Sequence, residues 1–426
     1  MTAHATVPPG SAPRVRVLEV MGNAIVGGME STVLRLVERL PRARFHTTVL
    51  APFASPCTER LRALDVEVII APMPQDMVWS SVQLAIAAIA ACRIDVLHAH
   101  LGNAHVLAGL AGRLAGRPVL GTVHARQVTP LELEAHRAFG THLHMVCQHS
   151  YLHALGMGAM PSHLHCVPNG VDTELFRPAG PAGPSAAGLR ASLGIGAQVP
   201  LVGFVGRLSP EKGPELFVRC AQRVHDAQPQ AHFVLVGEGP LRDAVQARID
   251  GLGLAAHVHL AGLRDDMPAL YPEFDVLVSS SLTEAMPLAV MEAMACGVPV
   301  AATRVGGVAD LIVEDWTGLL AEPGDIEGLA RLVAALVADP QRRREMGRHS
   351  RQRMVEHFSL AASVDATAAL LQGLAAHAGP AAAPGQLVDT PMLPGRAARL
   401  SSRARGRANG TAGEQGGERS GGKDSG

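Results

Sequence analysis

Apolar residues along this chain fall into short runs separated by stretches with helical spacing. Residues 15–20, VRVLEV, read as a buried strand, and beyond Gly22, Gly27 and Gly28 the residues Val33, Leu36, Val37 and Leu40 recur on one face of a helix. Further strand patterns lie at residues 46–51, 66–70, 95–98 and 119–123, with helical patterns between several of them. Such alternation predicts a parallel, doubly wound sheet. At residues 177–184 the sequence becomes RPAGPAGP, where Pro and Gly punctuate too densely for a regular element. The pattern then restarts, with strands at 201–205, 232–236, 257–260, 275–279 and 298–302 and a helix at 214–227. A chain of 426 residues is too long for one ordinary core. The expectation is an α/β protein with one Rossmann-like domain over residues 14–176, a linker region over 177–199 and a second Rossmann-like domain over 200–356.

The ends carry no such pattern. Residues 379–426 are rich in Gly, Ala and Pro and hold Arg396, Arg399, Arg403, Arg405 and Arg407 without apolar periodicity, which predicts a disordered tail. Its Asn409-Gly410-Thr411 sequon is assigned no function. Residues 1–13 are expected to be disordered too; they lack the basic start and apolar stretch of a signal peptide, so a cytoplasmic protein is expected. The most apolar helix candidate, residues 82–92, falls well short of the ~20 residues that span a bilayer. The six cysteines show no C-x-x-C spacing and are expected to be buried, reduced thiols. A formal net charge of −1 gives no electrostatic case for nucleic-acid binding and points to a small-molecule partner. Arg35, Arg39, Arg42 and Arg44 cluster at the end of the first helix, leaving open either peripheral contact with a membrane surface or a solvated helix face.

The residues that carry chemistry gather in the second half. Residues 283–297, TEAMPLAVMEAMACG, read as a loop entering a helix, with Pro287 in its first turn and Gly297 just past its end. Glu292 is the one charged group in a helix otherwise apolar or small, and a buried carboxylate needs partners, either a ligand or a structural ion pair. Glu284, eight residues earlier, could stand roughly 12 Å away, beyond the carboxyl end of a strand where open α/β sheets bind ligands. The helix start at Pro287, Leu288 and Ala289 offers a positive dipole end to an anion. After strand 201–205, Arg207 and Lys212 place two cations at the same sheet edge, a site suited to a diphosphate. Gly237-Glu238-Gly239 is only half of a dinucleotide fingerprint, since Arg242 stands where the third glycine belongs, and the glycines at 22–28 do not complete a Walker loop.

In order along the chain, Gly27-Gly28-Met29-Glu30, Pro168-Asn169-Gly170-Val171-Asp172, the segment from Gly206 to Gly213, and Glu284 with Glu292 in E-x7-E register resemble the motif set of family-4 GT-B glycosyltransferases, over about residues 14–375. The resemblance implies a GT-B fold: two Rossmann-like, doubly wound parallel-sheet domains facing a cleft, the N-terminal one on the acceptor side and the C-terminal one binding the nucleotide-diphosphate sugar. It implies that residues 357–378 form a helix crossing back to the N-terminal domain. Carried over by position, Glu292 would bind the ribose, Arg207 and Lys212 the diphosphate, and Glu284 would lie beside the donor sugar, with Gly27 and Gly28 lining the cleft opposite. His124 matches the family histidine near the reacting sugar, although His98, His100 and His105 are cleft candidates as well. Ala285 and Met286 depart from the family's usual Gly and aromatic, so the sugar pocket is expected to differ. The reaction implied is retaining transfer to an unidentified acceptor. With no D-x-D triplet in the chain, neither an essential metal nor a cofactor is expected. A sugar-nucleotide enzyme of another, epimerase-like reaction and a catalytically silent sugar-nucleotide-binding module are the alternatives.

Overall fold

The computed structural model describes residues 13–25, 27–74, 78–180 and 188–377. The stretches expected to be disordered, 1–13 and 379–426, fall outside these apart from Pro13, as do residues 181–187 of the expected linker region. Strands β1 (Val15–Met21), β2 (Phe45–Ala51), β3 (Glu67–Ile70), β4 (Val96–His100), β5 (Val119–Val123), β6 (His142–Met145) and β7 (Leu164–Cys166) form one sheet in the order β3-β2-β1-β4-β5-β6-β7. Strands β8 (Leu201–Val205), β9 (His232–Val236), β10 (Val258–Gly262), β11 (Val276–Ser279), β12 (Val300–Thr303) and β13 (Gly318–Ala321) form the other, in the order β10-β9-β8-β11-β12-β13. All pairings are parallel. In both sheets the strand order reverses direction beside the first strand, β1 or β8, which opens a crevice at the carboxyl ends. Strands β6, β7 and β13 were not predicted: they are short, and β6 and β7 interleave histidines where an apolar run would have announced them.

Ala, Val and Leu make most of the core, as a chain poor in aromatics requires. Leu18, Leu97 and Leu107 are fully buried in the first unit, and Val202, Leu235 and Val276 in the second. Part of the stretch read as linker is also packed here. Leu189 and Ile195 join the core of the second sheet, and the Glu273 carboxylate accepts from the backbone N–H groups of Leu189 and Arg190 at 2.8 and 2.7 Å.

After the helix Pro340–His357 the chain turns to the first sheet. Val171 N–H donates to Phe358 O, and Leu360 N–H donates to Val171 O. The helix Leu360–Ala376 then buries Val364, Ala368 and Leu371 against Val17, Val96 and Leu120. That return explains Gly170: a Cβ there would stand 2.5 Å from Leu360 Cα, so only glycine lets the two backbones meet.

Candidate functional site

A cleft of about 800 Å³ opens between the two sheets. From the first come Gly27, Gly28, His124 and Asn169; from the second come Arg207, Lys212, Glu284, Pro287, Leu288 and Ala289. The structure therefore brings together nine of the ten expected site residues in one cleft and leaves Glu292 outside its lining.

The loops of the second sheet are held together by backbone contacts. Because β8 pairs with β11, the segment after β8 lies against the segment after β11. Gly213 adopts a left-handed φ of 63°, and a Cβ on it would lie 2.4 Å from Ser280 O. Ser280 Oγ–H donates to Gly213 O, and Leu282 N–H donates to Glu211 O, both at 2.8 Å. Lys212 is thereby carried to Glu284, and its Nζ donates to Oε1 and Oε2 at 2.7 and 2.8 Å while Ser281 Oγ–H donates to Oε1 at 2.7 Å. The Arg207 side chain is exposed and makes no hydrogen bond or close ion pair among the described residues, so its forked donors face the cleft unclaimed.

The helix beyond Glu284 is Leu288–Ala295, and its start needs one correction. Pro287 is the N-cap, not a first-turn residue, and its carbonyl accepts from Met291 N–H at 3.2 Å. Having no N–H of its own, it contributes none to an anion; those of Leu288, Ala289 and Val290 are the donors that helix geometry leaves over.

Glu292 is buried, and both carboxylate oxygens have partners: Arg35 Nη2 at 2.8 Å from Oε1 and the Tyr271 hydroxyl at 3.0 Å from Oε2. Burial and the adjacent Glu292 charge push the Tyr271 phenol well above its ordinary pKa. Arg35 belongs to the helix Gly28–Arg39 of the first unit, so this pair also ties the two halves together. Its neighbours in the arginine cluster are engaged as well: Arg39 pairs with Asp172 at 2.6 Å, Arg42 donates to Leu64 O, and Arg44 donates to Gln372 Oε1.

On the opposite wall, His124 is half-buried, and its Nε2 lies 2.9 Å from His100 Nδ1. Desolvation, reinforced by His100 and His144, holds its pKa well below that of a free imidazole, so the ring is neutral. His98, His100 and His105 do not line the cleft; they are buried behind His124. Sequence reasoning missed what joins them. Glu19 on β1, His98 and His100 on β4, Thr122 on β5 and His144 on β6 form one hydrogen-bonded network at the carboxyl ends of neighbouring strands. The signal was an acid within an otherwise largely apolar central strand. Glu19, His98 and His100 are also the one group among the described residues whose ligand atoms, all within 4.8 Å of one another, could hold a metal ion.

A cleft between two parallel sheets, with cations and a helix start at one switch point, defines a two-domain α/β protein whose site suits a phosphate-bearing ligand. Residues 26–175 match the family described as Glycosyltransferase Family 4 and residues 187–353 match Glycosyl transferases group 1. The 2-deoxystreptamine N-acetyl-D-glucosaminyltransferase of Streptomyces fradiae is 30% identical over 390 residues, covering 79% of this chain and 91% of that protein. The UDP-Gal:alpha-D-GlcNAc-diphosphoundecaprenol alpha-1,3-galactosyltransferase of Escherichia coli is 26% identical over 372 residues, covering 83% and 95%. In fold, the chain is similar to Anabaena HepE solved in complex with UDP, with a TM-score of 0.75 at 22% identity over 84% of this chain and 100% of that one. The chain belongs to the family-4 GT-B glycosyltransferases, and it is a glycosyltransferase.

Proposed function

We propose that the protein transfers a sugar from a nucleoside-diphosphate sugar, bound along the second sheet, to an acceptor hydroxyl presented from the first, with retention of anomeric configuration. The observation that carries this is the convergence of Arg207, Lys212 and the start of the helix Leu288–Ala295 at one end of the cleft, with Glu284 beside Lys212 and His124 opposite. Relatives supply the donor chemistry by name: UDP-galactose for the E. coli enzyme and GDP-mannose for a mannosyltransferase of Mycolicibacterium smegmatis.

Arg207 and Lys212 hold the diphosphate and stabilise the charge that develops on it as the glycosidic bond breaks, the kind of preorganised term that supplies much of a transferase's rate. The N–H groups of Leu288 and Ala289 add the dipole end of their helix. A donor phosphate oxygen takes the acceptor's proton, and Arg207 and Lys212 bring the positive charge that a metal ion would otherwise supply to the diphosphate, so neither a metal nor a cofactor enters the proposed reaction. Glu284 meets the sugar hydroxyls. Glu292 reaches the ribose by exchanging its bonds to Arg35 and Tyr271. Gly27 and Gly28 let the first unit approach the donor without side chains in the way. The partners of Arg35, Arg39, Arg42 and Arg44 favour a structural use of that cluster over a lipid-binding one. Among the described residues no helix is long and apolar enough to cross a membrane.

Thermal shift with a panel of UDP-, GDP- and ADP-sugars identifies the donor, because a ligand bound only to the native state raises apparent stability. Transfer assays with that donor, and NMR of the product's anomeric proton, test the rest. Free nucleoside diphosphate that stabilises no better than buffer, or a product with inverted configuration, overturns the proposal.

A further inference from the structure

We propose that Glu19 and His100 are positioning residues that fix His124 in a single tautomer, with the proton on Nε2 pointing inward and a lone pair on Nδ1 facing the cleft. In the network behind His124 each donor and acceptor is fixed by its neighbour.

His144 Nε2 lies 2.9 Å from Val167 O, a carbonyl that can only accept, so that nitrogen carries a proton. With His144 neutral, its Nδ1 accepts from the Thr122 hydroxyl at 2.9 Å. Thr122 has then spent its only proton and must accept from His98 Nε2 at 2.7 Å. His98 Nδ1 lies 3.0 Å from Glu19 Oε2, and His100 Nε2 lies 2.9 Å from the same oxygen. The carboxylate accepts from both. Both ring nitrogens of His98 therefore donate, to Thr122 and to Glu19, and the carboxylate is buried with that partner where it could not be buried alone. Burial pushes Glu19 upward, but the His98 charge and the two imidazole hydrogen bonds outweigh it and hold the carboxyl at about 2. The His98 and His100 rings stand 4.2 Å apart over one carboxylate, which can balance one buried cation and not two, so His100 is neutral and its one proton sits on Nε2, against Glu19. His100 Nδ1 therefore has a lone pair, and His124 Nε2, at 2.9 Å, must be the donor. Among the described residues nothing bonds His124 Nδ1, and His124 lines the cleft.

A neutral ring with its lone pair on the cleft accepts a hydrogen bond from a hydroxyl and cannot donate one there. His124 thus serves the donor sugar or the attacking acceptor as an oriented acceptor. That catalytic meaning rests on glycosyl transfer at this cleft; the tautomer itself does not.

The same atoms suggest a competing occupant with the opposite outcome. A metal ion on Glu19, His98 and His100 would replace the proton on His100 Nε2 and move it to Nδ1. His100 would then donate to His124, and the His124 proton would be forced onto Nδ1. Ring-nitrogen NMR of the full chain labelled with 15N-histidine separates the two without substrate. The expected spectrum shows His124 Nε2 protonated and Nδ1 bare. His100→Gln retains a donor for Glu19 and an acceptor for His124, so it should keep that tautomer and most of the turnover. His100→Leu fills similar space with neither group; it should give mixed tautomers and a kcat lower by about 10- to 100-fold, the range for losing a partner that orients a functional histidine, with KM for the nucleotide sugar within about twofold. If His100→Leu does not fold, Glu19→Met, which removes the acceptor that fixes the His100 proton at similar volume, takes its place with the same expectations. A proton on His124 Nδ1 in the wild type overturns the proposal, as does a folded His100→Leu with wild-type kcat, or a His100→Gln as impaired as His100→Leu. The expected tautomer in a protein that transfers no sugar would instead refute the proposed function and leave the positioning role standing.

Discussion

Replacing Glu284 by Gln should move two observables in opposite directions. The Lys212 ammonium has three donors, and Glu284 takes two of them at 2.7 and 2.8 Å. The pair is partly shielded, with side-chain exposures of 29% for Lys212 and 9% for Glu284. A nucleoside diphosphate entering beside Lys212 must share that ammonium with Glu284 and meet the carboxylate's own negative charge. A half-shielded pair of this kind is worth about 1 kcal/mol net, above the weakest surface pairs and far below the unscreened Coulomb figure. Gln keeps the shape and still accepts from Ser281 and Lys212, so the fold should be unaffected. It removes the competing charge, and the free nucleoside diphosphate should bind about 1 kcal/mol tighter, roughly fivefold in Kd. Turnover should fall. A charged hydrogen bond to the sugar is worth about 1.5–3 kcal/mol, so if it is made mainly in the transition state kcat drops roughly 10- to 150-fold. Calorimetry with the diphosphate and steady-state kinetics with the sugar donor give the two readings. A folded Glu284→Gln that binds the diphosphate more weakly than wild type would refute this competition for Lys212.

Arg207→Ala should weaken nucleotide binding by roughly 1.5–3 kcal/mol by calorimetry, because among the described residues the Arg207 side chain has no internal partner to give up when it meets the diphosphate. Gly170→Ala should lower thermal stability by about 1–3 kcal/mol, since its Cβ would stand 2.5 Å from Leu360 Cα; an unchanged Tm would mean that the Leu360–Ala376 helix is not packed there. The network around Glu19 should make stability fall with acid. His100 at about 4 and His144 at about 3 lie below an unfolded histidine, and Glu19 at about 2 lies below an unfolded glutamate. For each the unfolded chain binds the extra proton first, so Tm should decline from about pH 6.5 downward, and more steeply below about pH 4.5 as the carboxylate joins. A Tm flat between pH 7 and pH 4 would contradict that burial. Neutral and anionic vesicles should sediment the protein equally, because each arginine of the Gly28–Arg39 helix end and its extension already has an internal partner.

The sheet-edge residues were legible because each follows its own strand. Arg207 and Lys212 come directly after β8, and Glu284 after β11, so order along the chain and the rule for parallel sheets place them together without long-range information. The first-unit partners were harder to see. Arg35 meets Glu292 across 257 residues, and no local pattern announces that pairing. The strands β6 and β7 were hidden for a related reason. Their histidines, His142, His144 and His165, look polar in a hydrophobicity pattern, yet His144 is buried because Thr122 and Val167 satisfy both ring nitrogens. Apolar periodicity reports burial by the hydrophobic effect and is blind to burial by a completed hydrogen-bond network.

The same physics removes the opposition between structural and functional readings of the two glutamates. A carboxylate placed in a water-poor cleft to meet a ligand must have a partner while the ligand is absent, or be protonated. Here Lys212 and Ser281 satisfy Glu284, and Arg35 and Tyr271 satisfy Glu292. Glu284 is paired within the cleft lining and Glu292 outside it, and for both such internal pairs are compatible with the proposed ligand roles. Donor binding then becomes an exchange of partners, in which affinity reflects only the difference between the bonds formed and the bonds released. For Glu292 the exchange has a further consequence, since Arg35 belongs to the opposite unit. A ribose that takes the carboxylate would release an inter-domain contact as well as form new bonds. Arg35→Ala would therefore loosen the two units and free Glu292 at once, whereas Tyr271→Phe would free one carboxylate oxygen and leave the inter-domain pair intact. Nucleotide affinity compared across these two variants separates the cost of releasing Glu292 from the cost of moving the domains.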